Sequence, residues 1–278
     1  MFPTLLIIFL IGLFVGSFLN VISDRVVRNE AIFFGRSHCD TCKHKLAPKD
    51  LVPLLSFIFI KGKCRYCKTK LSVYYPTAEI LTGLVFVLAY FTKSVLPAVV
   101  FCAYIVLFLT DAKYTLIPNK VVIPAIIFVF GFLLVTNIYT LFSLRTNLEN
   151  DAIGKYLLRT DFYNARVAET LKHLGLTLFS SLSISLFFIF LIFITKGRGM
   201  GGGDVTLGFL IGLFNGFPTN ILAIFLGFLF GTIFSLGLIL TKQKSIKDTI
   251  PFGPFLIVGS VVAYFFGKQL LSWYFGLF

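Results

Sequence analysis

Acidic residues are scarce in this chain, which has 12 Asp and Glu against 25 Lys and Arg among 278 residues. No H-E-x-x-H motif and no serine-nucleophile motif occurs, so nothing indicates a zinc metalloprotease or a serine hydrolase. The N-terminal stretch "MFPTLLIIFLIGLFVGSFLNVI" lacks the basic segment and the small-residue cleavage site of a secretory signal peptide. We therefore predict that it is the first membrane span.

Apolar residues dominate what is present: 57% of the chain is hydrophobic, 35 residues are Phe, and the mean hydropathy is +0.92. These values predict an all-α polytopic membrane protein. About eight transmembrane helices are expected, near residues 2–22, 77–92, 94–110, 121–142, 173–195, 205–218, 219–241 and 254–276. Three segments, 77–92, 94–110 and 205–218, are short for a crossing, so they are expected to extend into flanking residues or to lie where the bilayer is thin.

The basic residues predict the orientation, because Lys and Arg accumulate on the cytoplasmic side of a membrane. With the N-terminus outside, one face carries the segments 23–76, 111–120, 196–204 and 242–253, which hold 18 of the 25 Lys and Arg. That face is predicted to be cytoplasmic. Topology and attraction to anionic lipid headgroups account for the net charge of +13, so no nucleic-acid partner is required.

The chain is predicted to have three parts. These are a first transmembrane helix (1–22), a cytoplasmic cysteine-rich domain (23–76) and a membrane core of about seven helices (77–278). An outer connector, 143–172, interrupts the core, and "YNARVAETLKHLGL" (163–176) has the helical spacing of a segment that continues into the fifth span. The connector contains no motif with evident chemistry.

Two C-x-x-C pairs separated by 21 residues lie in the basic cysteine-rich domain. They are Cys39, Cys42, Cys64 and Cys67. Two such pairs can supply the four thiolates of a tetrahedral structural zinc site, and the repeated pattern C-x-x-C-K-x-K-L favours a small zinc-ribbon-like domain. The alternatives are redox-active pairs, or a site in which His38 or His44 replaces one thiolate.

Three carboxylates, Glu79, Asp111 and Asp204, adjoin or enter apolar runs. An ionised side chain at the centre of a bilayer costs about 2.5–3.5 kcal/mol, so such residues are functional candidates, although they can also simply end helices at the headgroups. Asp111 ends the third predicted span and Asp204 begins the sixth. Since two complete spans separate them, both aspartates are predicted on the same membrane face.

Two carboxyl groups a few ångströms apart cannot both ionise, and a pair that shares a proton can activate water while protonating a carbonyl oxygen. This chemistry hydrolyses peptides with no metal at the protease centre. The glycines before Asp204 permit close backbone approach and irregular dihedral angles. Pro118 breaks the chain shortly after Asp111.

Five short blocks occur in the order found in the type IV prepilin peptidases, and the chain resembles this family of polytopic G-x-G-D aspartyl proteases over nearly its whole length. The blocks are "GSFLNVISDR" (16–25), the cysteine-rich stretch 34–83 that ends in "YYPTAEILTG", "DAKYTLIPN" (111–119), "GMGGGDV" (199–205) and "IPFGPFL" (250–256).

The resemblance implies roles for particular residues. Asp111 and Asp204 would form the catalytic dyad, Glu79 would occupy an acidic position after the cysteine-rich domain, and the four cysteines would hold zinc. The loop before the second aspartate would consist of Gly201, Gly202 and Gly203. Many family members have Lys two residues after that aspartate, whereas this chain has Thr206, which is expected to change substrate contacts or the electrostatics of the dyad.

The resemblance also implies the substrate and the location. Prepilins or pseudopilins would be cleaved after a short basic leader that ends in Gly and precedes a hydrophobic helix. The active site would face the cytoplasm from the bacterial inner membrane, with membrane lipid and pilus or secretion assembly proteins as further partners. Many members also methylate the new N-terminus with S-adenosylmethionine, an activity that only the resemblance implies for this chain.

Two other classes of function remain open on the sequence. A transporter would use Asp111, Asp204 and Glu79 as ion or proton ligands. Against it, the aspartates are predicted at helix ends rather than at the bilayer midplane, and no inverted repeat is evident. A protein-binding module on a membrane anchor would account for residues 23–76 and would leave the paired aspartates unexplained.

Overall fold

The computed structural model describes residues 2–32, 35–39, 41–149, 161–197, 200–243 and 250–276. The chain divides into two compact units, residues 1–121 and 122–278. In the described ranges, helices make up nearly all regular structure, and extended pairing is limited to isolated bridges. The prediction of an all-α polytopic membrane protein is therefore confirmed.

The first unit contains three long helices, which are α1 (Phe2–Val27), α3 (Tyr74–Thr92) and α4 (Val95–Tyr114). The cysteine-rich segment connects α1 to α3. It includes a 3-10 turn (Pro48–Asp50) and a short helix, α2 (Leu55–Phe59).

The backbones of α1 and α3 meet at small residues. A Cβ atom on Gly12 would lie 2.7 Å from the Cα of Gly83, and one on Gly16 would lie 2.7 Å from the Cα of Glu79. Because carbon atoms do not approach so closely, only glycine fits these two positions. Helices in lipid associate largely through such close van der Waals packing, since burial in lipid gives no hydrophobic driving force between them. This contact brings Glu79 against α1.

The second unit contains most of α5 (Asn119–Glu149), followed by α6 (Asp161–Thr195), α7 (Gly202–Asn215), α8 (Thr219–Leu240) and α9 (Gly253–Phe275). The helix expected over residues 163–176 forms, because α6 begins at Asp161 and continues into the fifth predicted span. Residues 150–160, the centre of the predicted connector, lie outside the described residues.

The eight predicted apolar helices form, but they differ in length. Within the described ranges, seven are long and apolar enough to cross a membrane. The expected extension occurs for the second and third, which reach 19 and 20 residues. In contrast, α7 has 14 residues, or about 21 Å at 1.5 Å per residue, against a hydrocarbon core of about 30 Å. It ends at Asn215 and is followed by Gly216, which has a φ of 66° and lies two residues before Pro218.

Neighbouring helices enclose α7, which packs against α6, α8 and α9. A Cβ atom on Gly212 would lie 2.7 Å from the Cα of Ser181 on α6. At the end of α7, Asn215 Nδ2 donates to Ser260 Oγ on α9 at 2.6 Å. The helix that carries Asp204 is therefore held by packing and a polar contact within its own unit.

Candidate active site and metal centre

Asp111 lies in the last turn of α4 and is only 5% exposed. Its carbonyl oxygen accepts a hydrogen bond of 2.8 Å from the N–H of Thr115, whose φ of 51° ends the helix. The carboxyl group is thus buried at the C-terminal end of a helix, where the helix dipole disfavours a negative charge.

Asp204 is the third residue of α7 and is 7% exposed. Its Oδ2 accepts a hydrogen bond of 3.1 Å from the N–H of Gly201, and its own N–H donates to the carbonyl oxygen of Gly201 at 3.1 Å. Free N–H groups and the positive end of the dipole both favour a carboxylate at the start of a helix. The two aspartates therefore lie at helix ends of opposite polarity.

Gly201, Gly202 and Gly203 have ordinary backbone conformations. Gly201 is extended, with φ −91° and ψ 157°, and Gly202 and Gly203 are the first two residues of α7. None of the three has a positive φ. These glycines leave open space beside the start of α7. A Cβ on Gly202 would meet nothing within 4 Å, and one on Gly201 would lie 3.9 Å from Asp204 Oδ2.

Glu79 connects α3 to the cysteine-rich segment. Its Oε2 accepts a hydrogen bond of 2.8 Å from the N–H of Leu54, and Ser17 of α1 also bonds to its carboxyl group. Leu54 has a φ of 57° and is the centre of a tight turn in which the Leu55 N–H donates to the Pro53 carbonyl at 2.6 Å. Glu79 therefore holds a strained turn in place.

Sequence reasoning missed a cluster around Asp24 at the end of α1. Asp24 Oδ1 accepts hydrogen bonds from Lys113 Nζ at 3.2 Å and from the Tyr114 hydroxyl at 3.1 Å, and Oδ2 accepts one from the Tyr75 hydroxyl at 2.9 Å. The Lys113 ammonium also lies 4.1 Å from the centre of the Tyr75 ring. Because Lys113 and Tyr114 follow Asp111 in the same helical turn, this cluster fixes the end of α4.

The four cysteine thiols converge. The sulfur atoms of Cys39, Cys42, Cys64 and Cys67 all lie within 4.8 Å of one another. Cys39 Sγ and Cys67 Sγ are 3.8 Å apart, which matches the sulfur separation of about 3.8 Å in a tetrahedron of 2.3 Å Zn–S bonds. The arrangement fits a tetrahedral metal ion such as zinc.

The two knuckles have the same backbone structure. In the first, the Cys39 N–H donates to the His44 carbonyl and Lys43 has a φ of 56°; in the second, the Cys64 N–H donates to the Thr69 carbonyl and Lys68 has a φ of 61°. The repeated sequence pattern therefore corresponds to a repeated fold. The ring of His44 packs on that of Tyr66, with centroids 3.7 Å apart, and neither His38 nor His44 joins the thiol cluster.

The thiols differ in acidity. Hydrogen bonds from Thr69 lower the pKa of Cys67 to about 6. The His44 N–H lowers the pKa of Cys42, but desolvation and the neighbouring thiols outweigh it and raise that pKa to about 11. Four thiols so close together share protons when no cation balances their charge, and a bound metal ion would keep all four as thiolates.

The fold and these sites define a class: a multi-pass α-helical membrane protein with buried carboxylates at helix ends and a four-thiol cluster. Residues 10–93 match the family described as the bacterial peptidase A24 N-terminal domain, and residues 162–236 match the type IV leader peptidase family. The cysteines and Glu79 lie in the first match and Asp204 lies in the second, whereas Asp111 lies between the two.

Similar curated proteins cover nearly the whole chain. A protein of Bacillus subtilis (strain 168), named prepilin leader peptidase/N-methyltransferase, is 30% identical over 273 residues and covers 96% of each chain. Proteins with the same name from Aeromonas salmonicida (strain A449) and Pseudomonas aeruginosa are 28% and 27% identical, over 96% and 95% of this chain and 92% and 91% of their own. No solved structure matches the chain significantly.

The chain belongs to the type IV leader peptidase family and is a membrane peptidase. The resemblance stated on its sequence motifs is thereby confirmed. Family membership gives no support to the transporter alternative.

Proposed function

We propose that this protein is an aspartyl endopeptidase that removes the basic leader from type IV prepilins or pseudopilins. The proposal rests on one observation in this member of the leader peptidase family: Asp111 and Asp204 are both buried at helix ends. Two complete helices, α5 and α6, lie between these two ends along the chain. Helix parity then predicts that both carboxyl groups reach the same membrane surface.

From the polarity of the two helix ends we infer a starting role for each aspartate. Asp204, at a helix N-terminus with a bond from the Gly201 N–H, is suited to be the ionised member that activates water. Asp111, at a helix C-terminus, is suited to hold the shared proton and to donate it to the carbonyl oxygen under attack. This hydrolysis needs no metal at the protease centre. The open space beside Gly202 would admit the substrate backbone.

The basic loops support a cytoplasmic active site in the bacterial inner membrane. A prepilin would present its leader at that surface while its hydrophobic helix lies in the lipid beside the enzyme. Anionic lipid headgroups, and pilus or secretion assembly proteins, would be the further partners of the basic face. We propose that the chain has the three parts predicted from its sequence, which are the first transmembrane helix (1–22), the cysteine-rich domain (23–76) and the membrane core (77–278).

We propose that the thiol cluster holds a structural zinc ion. The donors are four thiolates, which leave no coordination position open for substrate, and the sulfur spacing suits zinc. The two knuckles are short and irregular, and among their described residues only Cys39 and Cys64 are buried hydrophobic residues. Bound zinc would therefore stabilise their fold.

N-methylation of the new N-terminus is a second candidate function. The relatives' names include N-methyltransferase, and the first unit contains a cavity of about 390 Å³ that neither Asp111 nor Asp204 lines. S-adenosylmethionine would supply the methyl group.

The test is cleavage of a purified prepilin by the full chain in liposomes, scored by mass. Asp111→Asn and Asp204→Asn should each lower the cleavage rate at least about a hundredfold, since each removes one half of an acid–base pair. Asp161→Asn is the matched control, because Asp161 is an exposed carboxylate at the start of α6. Cleavage within tenfold of wild type by either dyad variant would overturn the assignment.

A further inference from the structure

The short helix α2 separates the apolar side chains around it into two sets. Ser56, Phe57 and Ile60 line the cavity of the first unit. The other apolar side chains are exposed and do not line it, and we call them the apolar tip: Val52 (36% exposed), Leu55 (54%), Ile58 (66%) and Phe59 (78%). A contiguous exposed apolar patch of this kind usually marks an interaction surface.

A hydrogen bond fixes the apolar tip beside two membrane helices. The N–H of Leu54, one residue before α2, donates to Glu79 Oε2 at 2.8 Å, and Glu79 is the sixth residue of α3. A Cβ atom on Gly16 of α1 would lie 2.7 Å from the Cα of Glu79. At about 1.5 Å per residue, this level is about 8 Å inside α3 and about 16 Å before the end of α1. The tip therefore begins within the depth of both helices and not beyond their ends.

At this level, α1 and α3 expose apolar side chains. Phe14 and Phe18, two residues on either side of the α1 glycine, are 60% and 42% exposed. Ile80 and Leu81, which follow Glu79, are 40% and 52% exposed. Both helices are long and apolar enough to cross a membrane, so lipid is the environment that suits these side chains. The apolar tip is thus continuous with a lipid-facing surface of its own unit.

The charges around the apolar tip complement an anionic surface. Every exposed charged side chain among residues 41–78 is basic, and Lys49 and Lys61 lie on either side of the tip along the chain. The acidic residue of this range, Asp50, has a side chain only 4% exposed and is paired with Arg65. Helices that lie in a membrane interface combine a basic face at the headgroups with apolar side chains about 5–10 Å into the headgroup and acyl boundary.

We propose that the apolar tip inserts into the adjoining lipid leaflet and that the lysines beside it bind the headgroups of anionic phospholipid. This inference goes beyond the proposed peptidase activity and does not depend on which substrate is cleaved. Part of the cysteine-rich segment would then lie in the membrane, next to α1 and α3. A protein partner suits the tip less well, because lysine is depleted in protein interfaces.

Tryptophan fluorescence in liposomes tests the depth of the tip. The one native tryptophan, Trp273, is replaced by Phe, and Phe59→Trp then reports from the tip of the full chain in phosphatidylglycerol liposomes. The matched control is Phe162→Trp. Phe162 is 40% exposed and lies at the charged end of α6, whose 35 residues extend about 52 Å, well beyond a hydrocarbon core of about 30 Å.

Lipid brominated near the headgroup end of its acyl chains should remove at least about half of the Phe59→Trp emission and much less of the Phe162→Trp emission. Iodide in the water should have the opposite order of effect. Ile58→Trp is a second reporter on the same face, and it keeps the test decisive if Phe59→Trp does not fold.

The lipid preference tests the charges. Quenching of Phe59→Trp by a small fraction of brominated phosphatidylglycerol is compared with quenching by the same fraction of brominated phosphatidylcholine. One lysine near an anionic surface changes the affinity about fivefold, so Lys61→Gln should lower the preference for the anionic lipid by about that factor. Lys172→Gln, which removes an exposed lysine from α6, should leave the preference unchanged.

Three results would overturn the proposal. Equal quenching of Phe59→Trp and Phe162→Trp by brominated lipid, with equal access to iodide, would place the tip in water. Emission from the tip that neither quencher reaches would mean that protein covers it, such as a second copy of the chain. Equal lipid preference in Lys61→Gln and Lys172→Gln would remove the role of the lysines in binding headgroups.

Discussion

Replacing Asp24 with Asn tests whether buried polar contacts at the end of α1 hold the end of α4. The Asp24 and Lys113 side chains are only 15% and 13% exposed, and the carboxylate accepts three hydrogen bonds at 2.9–3.2 Å. Asn has nearly the same shape but one acceptor oxygen and no charge. It would also place an NH2 group against the donors around it.

The magnitude follows from these contacts. Hydrogen bonds to a charged group contribute about 1.5–3 kcal/mol each, and removing one partner leaves the Lys113 ammonium in a partly buried site without its counterion. Allowing for residual exposure and for the one bond that Asn can keep, we expect Asp24→Asn to lower the free energy of unfolding by about 2–4 kcal/mol. The melting temperature should fall by about 5 °C or more.

The control is an ion pair that is shorter but exposed. Arg145 Nε and Glu149 Oε1 are 2.8 Å apart, with side chains 64% and 48% exposed. Water screens such a pair, so Glu149→Gln should leave the melting temperature unchanged within error. Thermal unfolding of both variants in one detergent, together with prepilin cleavage, is the assay. If Glu149→Gln destabilises the protein as much as Asp24→Asn, burial does not set the strength of these two ion pairs.

Two further predictions concern the cysteine-rich segment. Purified protein should contain about one zinc ion per chain when its metal content is measured by mass spectrometry. The Cys64→Ser variant should lose this zinc, whereas Cys102→Ser, which changes a cysteine outside the cluster, should keep it. Zinc retained by Cys64→Ser would contradict the proposed site. Burial raises the pKa of Asp50, but the Ala47 N–H and Arg65 outweigh it and lower that pKa below the ordinary 3.8. The pKa of Asp50 is lower in the folded state than in the unfolded state, so its carboxylate stabilises the segment at pH values above the unfolded-state pKa. This stabilisation is lost as the pH falls through the folded-state pKa. Asp50→Asn should therefore be cleaved faster than wild type by limited proteolysis at pH 7, and the difference should shrink as the pH falls below the ordinary 3.8; a difference that stays constant over that range would refute the assignment.

Local sequence patterns were enough to predict several features of the structure. Long apolar runs predict membrane helices because a backbone in lipid must satisfy its own hydrogen bonds. The repeated C-x-x-C-K-x-K-L pattern predicts the thiol cluster because each knuckle is built from contacts within about ten residues. The sequence positions of Asp111 and Asp204 at the edges of apolar runs likewise predict their places at helix ends.

Other features depend on which faces of the helices meet. The helices are apolar around most of their circumference, so no amphipathic stripe tells which side is buried. The Asp24 contacts join residues 89 and 90 positions apart, and the Glu79 contact with Leu54 spans 25. Helical spacing of Ser17, Asn20 and Asp24 could have indicated a shared polar face on α1, but not its partners.

The sequence by itself therefore determined the class of protein, the number of apolar helices, the thiol cluster and the pair of aspartates at helix ends. Only the tertiary structure decided that α7 is an enclosed helix of 14 residues, that Glu79 holds a strained turn, and that α1, α3 and the cysteine-rich segment surround a cavity. The reason is physical: helix formation and knuckle geometry are set by neighbours in sequence, whereas the rotation and depth of each helix are set by close contacts such as that of Gly12 with Gly83.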